Sequence, residues 1–585
     1  MSKAKIYSDV PLAQTVIDLC KVHGIRHVVI SPGSRNAPLT IGFSHDPFFQ
    51  CYSVVDERSA GFFAMGIAQR LGEPVAVLCT SGSAVLNYYP AVSEAYYSHL
   101  PLVVLSADRP EHLIGIGDGQ TINQEDVFSN HILYSANLSL IPKLSSVEWD
   151  EKLSNLVREI KRANVEKAAK ALAIAKNKPG PVHINIPFDE PLYGTTSQPV
   201  ETYTDQVNIN GEDKNGAPKV DLTEFMEMWE KSKRKMVICG VLYPDSLSGE
   251  TIEKLAADKS VVVFTETTSN FDHPRFFPGI DKIIMPLDET GMKDLQPDLL
   301  VTFGGMVISK KIKAVLRNFP PKYHWHIGMQ KANDTFFCLS HHIQMSPEAF
   351  LSELLSSTGI NTESGYRPHW QAAKSRRAEA HEKWLEKIDY SDFTVFEAIL
   401  KLLPQGYSIH VSNSSTIRYM QLFERPEGVE FFCNRGTSGI DGSVSTAVGF
   451  ASANERPTLL VTGDLSFFYD SNGLWNKYVP DNFKIILINN GGGGIFRILP
   501  GDKNTENFDR FFETIHDLDA SHLCKMYGLE YAMTDNEKEL VPTLKSFFDR
   551  NAGPALLEIK TPRKYNDEVL LDYFKFLGME RWDQQ

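Results

Sequence analysis

Two short apolar runs, Leu459–Thr462 and Ile485–Ile488, constrain this 585-residue chain more than any other feature. Each is strand-length and rich in branched side chains, so each reads as a buried strand. The first ends in Gly463-Asp464, the second in Asn489-Asn490 followed by four glycines. Singly, an Asp after a strand is an ordinary helix cap and Asn-Gly an ordinary turn. Together they say more, because Asn490 follows Asp464 by 26 positions (490 − 464), which suits two parallel strands joined by a crossover. In an open parallel sheet ligands gather outside the carboxyl ends of the strands, so both polar clusters face one crevice. A carboxylate and an amide oxygen are hard ligands of the kind Mg²⁺ accepts beside phosphate oxygens. Glycines let the backbone approach a diphosphate and turn N–H groups towards it. The stretch predicts a divalent metal clamping a diphosphate at a sheet edge.

The rest of the chain narrows the class. Its length allows two to four domains, and 42% hydrophobic with 23% charged residues is ordinary for a globular protein. The longest apolar runs are strand-length, so no membrane insertion is expected, and MSKAKIYSDV lacks a secretory apolar core. Seven scattered cysteines without a Cys-x-x-Cys pair read as reduced thiols in a cytoplasmic protein. A net charge of −14 with no basic block argues against nucleic-acid binding.

Helix and strand patterns alternate from Pro11 to Ile186. Strands are expected at His27–Ile30, Cys51–Val55, Pro74–Cys79, Leu102–Ala107 and Pro181–Ile186. Helices are expected at Ser59–Arg70, from the Thr80-Ser81-Gly82 loop to about His99, and over 150–176. Gly115–Gln124 reads as an irregular binding loop. Residues 194–220 are polar and turn-rich, a linker. A second α/β unit has strands near Met236–Cys239, Val261–Phe264 and Leu299–Phe303. Charged helices from His369 lead into a third unit, from strand Ser408–Val411 to strand Ala555–Ile559. The fold class is α/β, three domains with mostly parallel sheets, divided at 1–193, 194–367 and 368–585.

The outer units look like distant copies. The first has SPGSRN at Ser31, Ala-x-Gly-x-Ala at Ala64 and TSGSA at Thr80. The third has SNSST at Ser412, Ala-x-Gly-x-Ala at Ala447 and TGDLS at Thr462. Three matches in one order at similar spacing favour duplication over chance.

The pair of motifs Gly463-Asp464 and Asn489-Asn490 resembles the signature of thiamine-diphosphate enzymes, whose two related outer domains hold the aminopyrimidine and the diphosphate. The resemblance implies Asp464, Asn490 and the Gly492 carbonyl as ligands of Mg²⁺ or Mn²⁺, with Leu465 standing where the family has glycine. It also implies a carboxyl against the aminopyrimidine. Glu57, at a strand's carboxyl end, is the candidate catalytic residue; its bland alternative is a first-turn acid stabilising a helix. Sites of this family are shared between chains, so a homodimer or homotetramer with interfacial active sites is implied.

Arg35, Arg58, Arg109, Arg418 and Arg435 sit in or beside polar loops at expected strand ends. One such arginine would be a surface ion pair; several suggest substrates with more than one carboxylate. The stretches SPGSRNAPLT, VVDERSAGFFAMGIA, SADRP, NRGTSGIDG and NNGGGGIF are similar to the 2-succinyl-5-enolpyruvyl-6-hydroxy-3-cyclohexene-1-carboxylate synthase family. That family decarboxylates 2-oxoglutarate and adds the succinyl carbanion to isochorismate in menaquinone biosynthesis. The resemblance implies substrate contacts for Ser34, Arg35, Arg109, Gln120, Arg418 and Arg435, with Lys310 and Lys311 as further cations from the middle unit. It implies cofactor contacts for Ser414, Ile440, Gly463, Ser466, Ile495 and Phe496 beside Glu57 and the metal ligands. Rival readings are an acetolactate-synthase-like carboligase of smaller 2-oxo acids and a non-catalytic thiamine-diphosphate-binding protein. Fewer cationic groups in the pocket would favour the former, and bound cofactor without turnover the latter.

Overall fold

The computed structural model describes residues 5–141, 151–200, 202, 220–499, 501–550 and 553–579. They form three α/β domains, each with a six-stranded parallel sheet. In the first domain the strands, counted along the chain, lie in the order second, first, third, fourth, sixth, fifth. The third domain repeats that order, and the middle domain runs third, second, first, fourth, fifth, sixth. The identical order of the outer sheets is the structural counterpart of the repeated motifs.

The two Ala-x-Gly-x-Ala segments lie in helices Glu57–Leu71 and Ser443–Ser452, which are almost wholly buried. Small residues on a helix suggest close packing on its own sheet; here the two helices also cross each other. A Cβ on Gly66 would sit 2.1 Å from the carbonyl oxygen of Thr446, and one on Gly449 would sit 2.0 Å from that of Phe63. The contact is reciprocal, each glycine facing the residue three before the other. It holds the first and third domains of one chain together. Phe62 and Phe63 beside it are buried, and such burial is worth roughly 1.5–3 kcal/mol per ring.

Several expected elements differ in detail. The helix expected to run to His99 is two helices, Ser83–Asn87 and Tyr89–Ser98. Pro90, in the first turn of the second, has no N–H for a continuous ladder. The charged helix begins at Tyr366, not His369, and runs to Leu385. Its start packs into the middle domain through Tyr366, Trp370 and Ala373, its end into the third through Ala380. Edge strands Tyr134–Asn137, Glu430–Phe432 and Glu530–Thr534 and middle-domain strands Tyr323–Ile327 and His341–Ile343 were not expected. The tail beyond Lys560 forms helix Asn566–Met579, which packs Tyr573 and Leu577 into the third core. Most of the expected linker lies outside the described residues. Its start, Thr195–Thr196, pairs antiparallel with Tyr7–Ser8 of the first domain.

Candidate active site

Strand Thr458–Gly463 and its parallel neighbour Phe483–Asn489 end side by side, with Gly463 opposite Ile488. Asp464 begins the next helix, is 3% exposed, and meets the glycine run at once: the Gly492 N–H donates to its Oδ2 at 3.0 Å. The Leu465 N–H donates to Oδ1 at 2.6 Å, so a side chain in place of the family's glycine still leaves the amide turned to the carboxylate. Gly491 and Gly492 have φ of +76° and +153°, values that L side chains rarely adopt. A Cβ on Gly492 would also meet the Glu513 carbonyl at 2.7 Å. Ser414 enters its helix with φ +72°, a strain of about 1–3 kcal/mol kept at a functional turn.

These elements enclose a cleft of about 160 Å³. All nine cofactor residues expected from the third domain line it: Ser414, Ile440, Gly463, Asp464, Ser466, Asn490, Gly492, Ile495 and Phe496. Its polar wall offers a buried carboxylate, an amide and a carbonyl, the oxygen set that suits a hard divalent cation. The glycine run allows the close backbone approach a diphosphate needs. The donor chemistry therefore fits both groups.

Two residues missed in sequence border this wall. Asp392, 2% exposed at the start of helix Asp392–Leu402, accepts from Asn490 Nδ2 at 3.2 Å. His516 Nε2 lies 3.4 Å from Asp464 Oδ2, and that contact raises the imidazole pKa. No local signal marks either; His516 follows a π-helical turn, Asp509–Glu513.

Glu57 stands elsewhere. Asp56 caps its helix, accepting from the Arg58 and Ser59 N–H groups. Glu57 itself lies within electrostatic range of buried Cys79 and Tyr88. Burial, and after it the nearby Asp56 charge, raises its pKa. The residues lining the cleft of Asp464 and Asn490 all belong to the third domain, and Glu57 is not among them.

The first-domain arginines gather at the strand ends with Glu57. Arg35 is 8% exposed; its Nη1 donates to the Phe188 carbonyl at 3.1 Å and its Nη2 lies 3.5 Å from Glu190. Arg109 bonds Asp118 at 2.9 Å, Ser81 Oγ at 2.6 Å and the Gln120 carbonyl at 3.2 Å. Burial, then the neighbouring Arg109 charge, lowers the Arg35 pKa. The Ser34 carbonyl accepts the Ala37 N–H at 3.1 Å in the turn that carries Arg35. The two guanidinium groups are close enough to feel each other, and each is faced by a carboxylate of the same domain, Glu190 for Arg35 and Asp118 for Arg109.

Arg418 and Arg435 lie at the border of the third and middle domains. Arg435 Nη1 donates to Asn413 Oδ1 at 2.7 Å. Buried Glu266, pushed up to about 7 mainly by desolvation, feels the Arg435 charge. Arg418 lies in the fields of Asp281 and Arg435. Lys310 and Lys311 are exposed at the start of helix Lys310–Asn318, whereas half-buried Lys313 is the lysine coupled to Glu266 and Arg435. Arg35 and Arg435 each keep a buried Nε–H without an acceptor among the described residues. Buried donors of this kind call for a partner. Arg435 also forms part of the wall of a larger cleft, about 360 Å³, at the carboxyl ends of the middle sheet.

Fold and site together define a thiamine-diphosphate-dependent enzyme. Residues 11–129 match the family described as "Thiamine pyrophosphate enzyme, N-terminal TPP binding domain" and residues 413–559 its "C-terminal TPP binding domain". The chain is 50% identical over 576 residues to the 2-succinyl-5-enolpyruvyl-6-hydroxy-3-cyclohexene-1-carboxylate synthase of Christiangramia forsetii, covering 98% of this chain and 99% of that one. It is 50% identical to the protein of that name from Flavobacterium psychrophilum, over 98% and 100% of the two chains. For the protein of that name from Bacteroides thetaiotaomicron the identity is 37%, over 97% and 99%. The chain belongs to the 2-succinyl-5-enolpyruvyl-6-hydroxy-3-cyclohexene-1-carboxylate synthase family.

Proposed function

We propose that the protein decarboxylates 2-oxoglutarate and joins the resulting succinyl unit to isochorismate in menaquinone biosynthesis, using thiamine diphosphate and Mg²⁺ or Mn²⁺. The observation that carries this is the convergence of Asp464, Asn490 and Gly492 with six further cofactor-binding candidates in one cleft. When bound, the cofactor supplies the carbanion chemistry. The protein's part is to hold, orient and shield. Asp464 and Asn490 offer side-chain oxygens to the metal, and Gly492 its carbonyl. Ser414, Gly463 and Ser466 would hold the diphosphate, while Ile440, Ile495 and Phe496 would give the reacting end an apolar wall against water.

Glu57 would set its carboxyl against the aminopyrimidine, and its raised pKa suits a group that holds and yields a proton. Because Glu57 lies outside the diphosphate cleft of its own chain, a second copy supplies it, in a homodimer or homotetramer. The same copy brings Ser34, Arg35, Arg109 and Gln120 to the carboxylates of isochorismate. Arg418 and Arg435, with Lys310 and Lys311 nearby, take those of 2-oxoglutarate. The domains divide as 1–193 for the pyrimidine, 194–367 between, and 368–585 for the diphosphate. Among the described residues no helix is long and apolar enough to cross a membrane, and the cysteines are free. Both support a cytoplasmic setting. Mass-spectrometric product analysis with 2-oxoglutarate, isochorismate, Mg²⁺ and cofactor tests the assignment. The succinylated cyclohexene carboxylate is expected, and turnover of 2-oxoglutarate without it would reject the assignment.

A further inference from the structure

Both asparagines of the Asn489-Asn490 pair have their amide nitrogens held by a buried carboxylate. Asn489 Nδ2 donates to Glu558 Oε1 at 2.7 Å and to the Leu518 carbonyl at 2.8 Å. Its Oδ1 is thereby left to accept the Gly491 N–H at 3.1 Å, which shapes the glycine turn. Asn490 Nδ2 donates to Asp392 Oδ2 at 3.2 Å. Asp392 is itself anchored from two further elements. Thr561 Oγ1 donates to its Oδ1 at 2.6 Å, and its backbone N–H donates to Asn566 Oδ1 at 2.8 Å. At the start of that helix the Ser391 N–H is met by Thr394 Oγ1 at 3.0 Å, whereas both carboxylate oxygens of Asp392 are turned to other elements, Oδ1 to Thr561 and Oδ2 to Asn490. Burying a carboxylate is costly unless its bonds are needed.

We propose that Asp392 is a positioning residue for the metal: by accepting from Asn490 Nδ2 it fixes the amide so that Oδ1 is the atom turned to the cation. Glu558 does the same for the neighbouring loop through Asn489. An amide has one face that donates and one that accepts, so fixing the donor side fixes the ligand side before metal or cofactor arrives. Partners behind metal ligands are typically worth about 10- to 100-fold in metal affinity. The inference rests on the reading of the cleft as the metal–diphosphate site.

The test is Mn²⁺ titration of the full chain with saturating thiamine diphosphate, followed by electron paramagnetic resonance, with thermal unfolding of each cofactor-free variant alongside. Asp392→Ala is expected to weaken Mn²⁺ binding by about 10- to 100-fold. Asp392→Asn, whose carbonyl still accepts from Asn490, is expected to stay within about 3-fold of the parent, because the bond and not the charge sets the amide. Equal losses in the two variants, or an Ala variant that binds as the parent does, overturn the proposal. Should Asp392→Ala not fold, Thr561→Val removes the other anchor of the carboxylate. It is expected to cost about 3- to 10-fold, and unchanged affinity there overturns the proposal equally. A parent protein that binds no Mn²⁺ would instead reject the metal-site reading itself.

Discussion

Glu94 and Gly436 are joined across two domains: the Gly436 N–H donates to Glu94 Oε1 at 2.6 Å. The other oxygen of Glu94 accepts from the Thr437 N–H at 2.6 Å and from its hydroxyl at 2.8 Å. Glu94 is 1% exposed, so first-domain helix Tyr89–Ser98 grips the loop that carries Arg435. Glu94→Ala would leave the buried Gly436 N–H without its partner, a loss of about 1–3 kcal/mol. Urea unfolding should show that loss, and steady-state kinetics a raised KM for 2-oxoglutarate from the loosened Arg435.

The reciprocal glycine crossing gives a second prediction. A methyl group at Gly66 or Gly449 would meet backbone atoms, which cannot swing aside. Gly66→Ala and Gly449→Ala should each destabilise the protein by about 1–3 kcal/mol, read as a lower urea midpoint. The helices must part to admit either methyl, so the double variant should lose less than the sum.

On the proposed reading, variants of Arg435 and Arg418 should separate substrate handling from cofactor handling. With its Nε–H unmet, Arg435 has bonding capacity to give a ligand. Removing either arginine should raise KM for 2-oxoglutarate at least about tenfold, as loss of a charge-assisted pair does, with cofactor affinity within about threefold. Unchanged kinetics in both variants would remove the carboxylate role.

How much of this could be read from the chain alone depends on how local each contact is. Asp464, Asn490 and the glycines were legible because strand, turn and glycine chemistry are written within a few residues. The outer-domain duplication was legible because its motifs recur at matching spacing. Asp392, Glu94 and Glu558 were not, since each acts on a partner far along the chain: Glu94 on Gly436, for one, 342 positions away. Their own surroundings read as ordinary helix and strand. The edge strand Tyr134–Asn137 escaped notice because Ser135, Ala136 and Asn137 carry no β-branched signal. The Ala-x-Gly-x-Ala runs read in sequence only as a repeated motif; that the two helices pack on each other is revealed by the fold.

Glu266 offers a pH handle. Desolvation pushes its pKa up to about 7 from the ordinary 4.5, although Ile308 and Ser309 N–H groups bond it. The folded state thus holds this proton more tightly than the unfolded chain. Its contribution is full below about pH 4.5 and is lost as pH rises through about 7. Glu266→Gln, which stays neutral, should show a smaller fall in Tm than the parent between pH 5 and 7. Parallel Tm profiles would contradict that.

Subunit mixing tests the split site most directly. Glu57→Gln chains keep the metal wall and Asp464→Ala chains keep the carboxyl; each alone should be nearly inactive. Co-refolded in equal amounts, half the dimers are hybrids with one intact site of two, so activity should return to about a quarter of the parent's. No recovery in verified hybrids would mean that Glu57 and Asp464 act within one chain, and would contradict the account.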